Sequence, residues 1–284
     1  MDFDPKLLIE LGEDVPRTSP VLVTSQLLEQ VRSNLRPVSR DAAWTQTQFI
    51  EQAQAWFLGT RLNHISGLDA FPFVKATMGC NHALDDLIIQ HGAVGELQVL
   101  AGEYGYYRRL DPALVVATPG SLVPGLPLVI SMPFVGVMDV HPQMADILDE
   151  CDVKGIPVHI DGAWMSAARD IEFDFDHPAI ASVAMSLSKG MDLWWNRVGL
   201  RWSRTELPNS SISIYNQFYM IPQACLDIGL TYLQSIPPDH LWNCHGVRYN
   251  ELCRTLYLRP TKMIHLARSI DRTHTYALRH LLEP

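Results

Sequence analysis

The sequence predicts an α/β domain built on a largely parallel β-sheet. Three observations predict it. Seven short apolar runs, rich in β-branched residues, recur between Phe73 and Trp202. Amphipathic helical patterns separate several of them. Residues suited to holding an anion, a carbonyl and a ring nitrogen fall just past the ends of the runs, where open α/β sheets bind their ligands.

The runs, in order, are 73–78, 97–101, 114–118, 127–131, 156–160, 181–186 and 198–202. Most are near-continuous in apolar character, as strands covered on both faces are. Ahead of them, 45–58 reads as a helix with Phe49, Ala53, Trp56 and Phe57 on one side. In 82–91, Ala83, Leu84, Leu87 and Ile88 share a face. In 142–154, Met144, Ile147, Leu148 and Cys151 do the same, with Pro142 placed for a first turn and Gly155 for a stop. The segment 204–211 reads as a linker. The rest of the chain is mostly helical in pattern and is broken in two at Pro237-Pro238. The expected division is an N-terminal arm over 1–44, a large α/β domain over 45–205 and a reduced C-terminal domain over 206–284.

The 284 residues are 47% hydrophobic, enough for a sizeable core. A net charge of −9 with no basic stripe argues against a nucleic-acid binder. No apolar run reaches the roughly 20 residues of a membrane span. The acidic start lacks the order of a signal peptide, and five scattered cysteines suit reduced thiols, so a cytoplasmic protein is expected. The acidic alternation in 170–177 reads as an edge strand or solvated loop, and His240, Cys244, His245 and Cys253 read as structural, not as a metal site.

The chemistry lies at the strand ends. After the first run comes Gly79, with the amides of Cys80 and Asn81 opening a helix N-terminus, which favours an anion. After the second comes the tyrosine-rich turn "GEYGYY", containing Tyr104. After the fifth comes Asp161; the sixth ends at Ser186 and is followed by Ser188 and Lys189, with Arg197 eight residues on from the lysine. A phosphorylated aromatic cofactor that forms an imine needs these parts. A lysine carries the aldehyde, a carboxylate keeps a ring nitrogen protonated, an aromatic ring stacks, and hydroxyls, amides and a guanidinium hold the phosphate.

Four stretches then resemble a known family. "SLSKGMDLWWNRVG" is similar to the Ser-x-Ser-Lys…Arg-x-Gly signature of fold-type I pyridoxal-phosphate enzymes, most closely the class I/II aminotransferases. "IPVHIDGAW" resembles their Asp-x-Ala-Tyr strand, "TMGCNHALDDLI" their phosphate turn, and "GEYGYY" the turn that supplies the stacking ring. The resemblance covers roughly 77–202. It implies a three-layer α/β/α domain with a seven-stranded, mostly parallel sheet whose last strand runs antiparallel. It also implies pyridoxal 5′-phosphate, an amino-acid substrate and a homodimer. By the same resemblance Lys189 is the Schiff-base lysine and proton shuttle, Asp161 faces the pyridine nitrogen and Tyr104 stacks on the ring. Gly79, Cys80, Asn81, Ser186, Ser188 and Arg197 hold the phosphate.

Three departures stand out. Met132 replaces the family's asparagine after the fourth strand, Trp164 replaces the tyrosine that shares the ring hydroxyl, and the chain is short for the family. An indole only donates, so Trp164 at the cofactor lacks a phenol's acid–base capacity. Decarboxylation, elimination or oxidation, or a non-catalytic paralogue serving as a partner protein, therefore stand beside transamination. Arg259, Arg268, Arg272 and Arg279 are the candidates for the substrate carboxylate, and Trp194 and Trp195 read as packing at the domain surface or subunit boundary.

Overall fold

The computed structural model describes residues 9–10, 33, 41–91, 95–191, 193 and 196–282. Trp194, Trp195 and most of the expected N-terminal arm lie outside the described residues. In chain order the elements are β1 (Ile9–Glu10), α1 (Ala42–Leu58), β2 (His64–Ser66), β3 (Phe73–Thr77), α2 (Cys80–His91), β4 (Gln98–Leu100), α3 (Tyr106–Leu110), β5 (Val115–Ala117) and β6 (Leu128–Ser131). Next come α4 (Met144–Lys154), β7 (Val158–Gly162), β8 (Glu172–Asp174), β9 (Ile180–Ser186), β10 (Gly199–Ser203), α5 (Ser211–Gln217), α6 (Gln223–Ser235) and α7 (His240–Thr255). The chain ends in β11 (Arg259–Pro260), β12 (Leu266–Arg268), β13 (Thr275–Ala277) and α8 (Arg279–Leu282).

All seven apolar runs become strands of one sheet, in the order β3-β10-β9-β7-β6-β4-β5. Strand β10 is antiparallel to both β3 and β9, and the remaining pairs are parallel. The strands β6, β7 and β10 are buried along their whole length. Alternate side chains of β6 show the layering. Leu128 and Ile130 join a cluster with Met144, Ile147 and Leu148 of α4 and Phe49 and Phe57 of α1. Val129 joins Leu84 and Leu87 of α2 on the opposite face. Helices therefore cover both faces of the sheet, and both apolar sides of each strand have a partner.

Helix α1 begins where the Asp41 side chain accepts from the Trp44 amide at 2.9 Å. It buries Phe49, Ala53, Trp56 and Phe57, and the Phe57 ring meets Trp202 of β10 edge-on at 6.0 Å. Helix α4 starts at Met144, with Gln143 at its cap, so Pro142 lies just before the helix and not in its first turn. It ends where Gly155 takes a left-handed conformation at φ 62°.

Helices α5 and α6 come after residue 206 but pack against the sheet domain. Ile221, Leu226 and Leu233 belong to its cluster, and the Trp56 indole donates to Ile236 O at 2.7 Å. A second, smaller core gathers after Pro237-Pro238. It joins Leu241, Trp242, Tyr249 and Leu252 of α7 to Ile264, Ala267 and Leu278. This part is not only helical: β11, β12 and β13 form an antiparallel sheet, and β1 adds itself beside β13. The acidic stretch at 170–177 forms β8, paired parallel with β2. No helix among the described residues is long and apolar enough to cross a membrane.

One charged pair lies inside the fold. Arg201 of β10 faces α2, where its Nη1 sits 2.6 Å from Asp86 Oδ2, with both side chains almost fully buried. Asp86 Oδ1 accepts from the amide and hydroxyl of Ser211 at 2.6 and 2.7 Å, and Arg201 Nη2 donates to Ser210 Oγ at 3.2 Å. Burial alone would raise the Asp86 carboxyl; the bonds from Ser211 and the Arg201 charge outweigh it and hold it below its ordinary value. The pair ties α2, β10 and the start of α5 together. Removing one partner strands the other charge in the interior. Asp86→Ala is therefore expected to lower unfolding stability by roughly 3–5 kcal/mol. Urea denaturation measures it, and a loss below about 1 kcal/mol, the range of an exposed pair, would contradict this role.

Candidate active site

The parallel strands β3, β4, β6, β7 and β9 all end at the same edge of the sheet, so the residues just beyond them converge. Strand β10 runs the other way, and so it offers this edge the residues just before it, among them Arg197. Gly199 closes the approach: its Cα lies opposite both Ser186 and Thr77, and an added Cβ would meet Met185 O at 2.3 Å. The converging side chains line a cavity of about 380 Å³, within the range of small-molecule sites.

One end of the cavity is an anion cradle. Helix α2 opens at Cys80, presenting its first amides and the positive end of its dipole. Gly79, at φ 75°, takes a conformation that side chains disfavour, and a Cβ there would lie 3.2 Å from Arg197 Nη2 and 3.4 Å from Ser186 Oγ. Ser186 Oγ donates to Ser188 Oγ at 2.8 Å and accepts from the Ser188 amide at 3.1 Å. Arg197 Nη2 donates to Asn81 Oδ1 at 3.1 Å. Two hydroxyls, a guanidinium and a helix start thus face one space, a donor set matched to a phosphate.

The middle of the cavity holds Asp161, which is 8% exposed at the end of β7. Its Oδ1 accepts from the Ala163 amide at 3.0 Å, and its Oδ2 accepts from the Tyr107 hydroxyl at 2.7 Å. The Cys80 thiol lies near enough to feel its charge. Burial, reinforced by the Asp161 charge, pushes both the Cys80 thiol and the Tyr107 phenol well up, so both remain neutral. A carboxylate offers about four acceptor positions. Two are filled by the phenol and the amide, which leaves room for a protonated ring nitrogen.

Lys189 comes after β9 and lines the same cavity, its Nζ 4.4 Å from the centre of the Trp164 indole, a cation–π contact. Trp164 in turn tilts against His265, with ring centres 5.7 Å apart. His265 is buried, its Nδ1 has no hydrogen-bond partner among the described residues, and burial together with the Arg279 and Lys189 charges holds it well below the ordinary histidine range. It is a neutral imidazole on the cavity wall. Arg279, at the start of α8, lines the same cavity. Arg259, Arg268 and Arg272 line a different cleft.

Cys80, Asn81, Tyr104, Asp161, Trp164, Ser186, Ser188, Lys189 and Arg197 all line this one cavity, and Gly79 stands behind its cradle. Tyr104 is half-exposed at 49% and stacks on Tyr106 at 5.9 Å. Met132 is fully buried in the core and takes no place in the wall, where Ser131 stands instead. By sequence Tyr107 is only a neighbour of Tyr104, yet Tyr107 is the buried one. Spacing does not mark it out, since Tyr104 precedes helix α3; Tyr107 is turned inward by packing against Leu84, Val99 and Val129. Glu103 carries no signal in the sequence either. Its carboxylate accepts from the amide and hydroxyl of Ser131 at 2.6 and 2.7 Å.

No protein-family model matches the chain, and comparison with curated protein sequences yields no match. Solved structures do resemble it. An aminotransferase from Mycobacterium tuberculosis superposes with a TM-score of 0.63 at 16% identity, over 85% of this chain and 71% of that one. A Thermus thermophilus aspartate aminotransferase mutant gives 0.58 at 15%, over 84% and 75%. A Leishmania infantum tyrosine aminotransferase gives 0.56 at 14%, over 88% and 77%. At these identities the likeness shows the fold, which is that of fold-type I aminotransferases.

Glu103 makes the stability of this region pH-dependent. Burial raises its carboxyl from 4.5 to about 7, against the bonds from Ser131 and Tyr104 that favour the charge. A value raised in the folded state means stability that is complete below about 4.5 and lost as pH rises through about 7. The melting temperature is therefore expected to fall across that window, and Glu103→Gln, which cannot ionise, to flatten the fall. Calorimetric scans at several pH values measure both, and identical profiles for the two proteins would refute the assignment.

Proposed function

We propose that this chain is a pyridoxal 5′-phosphate-dependent enzyme of the aminotransferase type, acting on an amino acid. One observation carries the reading: Lys189 and Asp161 face a single cavity of about 380 Å³ whose end is a phosphate-shaped donor set. The fold of the neighbouring structures supports it. Ser186, Ser188, Arg197 and the first amides of α2, admitted by Gly79, would hold the phosphate. Asp161 would face the ring nitrogen, and Tyr104 would cover the ring. When bound, the cofactor supplies an aldehyde to the lysine and a ring that accepts electrons from the substrate.

The chain's own groups divide the remaining work. Tyr107 and the Ala163 amide fix the Asp161 carboxylate in place and leave acceptor capacity for the ring. The Trp164 face holds Lys189 Nζ inside the cavity until the substrate arrives. Lys189 Nζ is the base that moves the proton of the substrate α-carbon. Arg279 would take the substrate carboxylate, since of the four candidate arginines it lines this cavity. The reading extends to a homodimer, as the resemblance implies, at work in the cytoplasm, which the five unpaired cysteines suit.

The experiment is direct. Protein mixed with pyridoxal 5′-phosphate is expected to turn yellow, and borohydride reduction with peptide mapping to place the adduct on Lys189. Lys189→Ala should lose the adduct while Arg197→Gln should weaken cofactor affinity by about tenfold or more. A panel of single amino acids then separates the chemistries: keto acid without carbon dioxide or ammonia marks transamination. Protein that takes up no cofactor at any concentration tested would end this reading.

A further inference from the structure

A second cleft, of about 490 Å³, opens on the C-terminal sheet and shares no lining residue with the first. Its walls carry Arg169, Arg259, Lys262, Arg268 and Arg272 against two carboxylates, Asp139 and Asp170. That is a local excess of positive charge in a chain whose net charge is −9. Both carboxylates are already engaged. Lys262 Nζ lies 2.6 Å from Asp139 Oδ1, and Arg169 Nε lies 3.3 Å from Asp170 Oδ2. Arg259, Arg268 and Arg272 make no ion pair among the described residues.

The backbone brings these three together. Arg259 of β11 and Arg268 of β12 are register partners in an antiparallel pair. Directly opposed residues share a face with Cβ atoms about 4.5–5.5 Å apart, and like charges so placed repel. Arg272 sits in the hairpin between β12 and β13 at φ 64°, a conformation uncommon for a residue with a Cβ. The Arg268 guanidinium donates through Nη2 to the Arg272 carbonyl, which holds the hairpin back over the cleft. Arg268 Nε is buried without a hydrogen-bond partner among the described residues. Below them, Arg169 lies 4.0 Å over the Trp242 ring, so its charge is fixed and not swept through solvent. Opposed guanidiniums and a buried donor without a protein partner both cost free energy. One kind of ligand offsets both, a compact species carrying two or more negative charges.

We propose that this cleft is a binding site for a small polyanion, of the polycarboxylate or phosphorylated class, held by Arg259, Arg268 and Arg272. Guanidinium forks match both groups, because each presents paired oxygens. The volume admits one small molecule and not a macromolecular segment. The site is independent of the cofactor reading: its residues lie on β11, β12 and the hairpin beyond, and none belongs to the phosphate cradle.

Calorimetric titration with citrate and with pyrophosphate tests it. The protein is used first saturated with pyridoxal 5′-phosphate and again as Arg197→Gln, so that the cradle is occupied in one case and weakened in the other. One-site binding of at least one probe is expected, weakening as salt is raised. Citrate alone would identify a polycarboxylate site, pyrophosphate alone a phosphate site, and both results support the proposal. Arg268→Gln should weaken binding at least about tenfold. Arg259→Gln does the same without touching the hairpin bond, and should melt no lower than the parent because it removes the repulsion. Absence of binding by both probes, or binding that Arg197→Gln abolishes and Arg259→Gln and Arg268→Gln leave unchanged, would overturn it.

Discussion

Strand β10 carries a guanidinium into the space between the sheet and helix α2, and that charge sets the seat of the helix. Arg201 meets Asp86 at 2.6 Å with almost no solvent on either group. Two charges in such a place need protein donors and acceptors in place of water; Ser210, Ser211 and Gln90 supply most of them, and Arg201 Nε is buried without a partner among the described residues. The result is a three-way tie between α2, the antiparallel strand and α5. Both elements that build the anion cradle are thereby registered against each other. The cradle is the start of α2 on one side and the residues just before β10 on the other. A slide of α2 along the sheet would separate the Cys80 and Asn81 amides from Arg197, and it would also break a buried ion pair.

The same constraint of position governs Asp161. A carboxylate at a buried strand end loses its hydration and needs protein donors in return. Here a backbone amide and a phenol donate to it, from the turn after β7 and from helix α3. The phenol and the nearby Cys80 thiol are held neutral by the same burial. Helix α3 is only five residues long, too short to be stable on its own, so Tyr107 fixes the helix to the site as much as it fixes the site. Tyr104, three residues earlier and ahead of the helix, is half-exposed and lines the same cavity.

The large sheet was legible because its central strands are buried on both faces. Runs such as 127–131 and 156–160 then lose the polar alternation that makes short strands ambiguous, and their length and flanking breakers suffice. The convergence of Gly79, Asp161, Ser188, Lys189 and Arg197 was legible for a topological reason. Parallel strands end at one edge, so residues far apart in sequence share a place in space. What escaped depended on contacts between elements. Tyr107 and Tyr106 look alike in sequence, and only the packing of α3 on Val99 and Val129 decides which is inside. Arg279 could not be told from Arg259, Arg268 or Arg272, because strands of two or three residues carry no periodicity from which to assign a face. The division after residue 205 tracked a change in composition, whereas α6 is drawn back onto α1 by Leu226 and Leu233, apolar residues that fit either core until a partner is known. Met132 occupies the family's asparagine position in sequence, yet its side chain turns into the core and leaves that wall to Ser131.

The two cavities are separated by one apolar wall. Met138, Met263, Leu266 and Ala277 form a single cluster, against which Val135 and Trp164 pack. Trp164, Val135, Leu266 and Ala277 face the first cavity, and Met138 faces the second. Strand β12 runs between them, with Leu266 toward one ligand space and Arg268, two residues on, lining the other. Protein interiors are close-packed, so a strand that bears on both spaces cannot shift toward one without changing the other. Methionine is the side chain most able to repack under such a shift, and two of the four wall residues are methionine. The C-terminal sheet is thus more than a reduced remnant that closes the large domain. It sets Leu266, Ala277 and Arg279 around the lysine and Arg259, Arg268 and Arg272 around the second cleft, and it does both with three strands whose packing is shared.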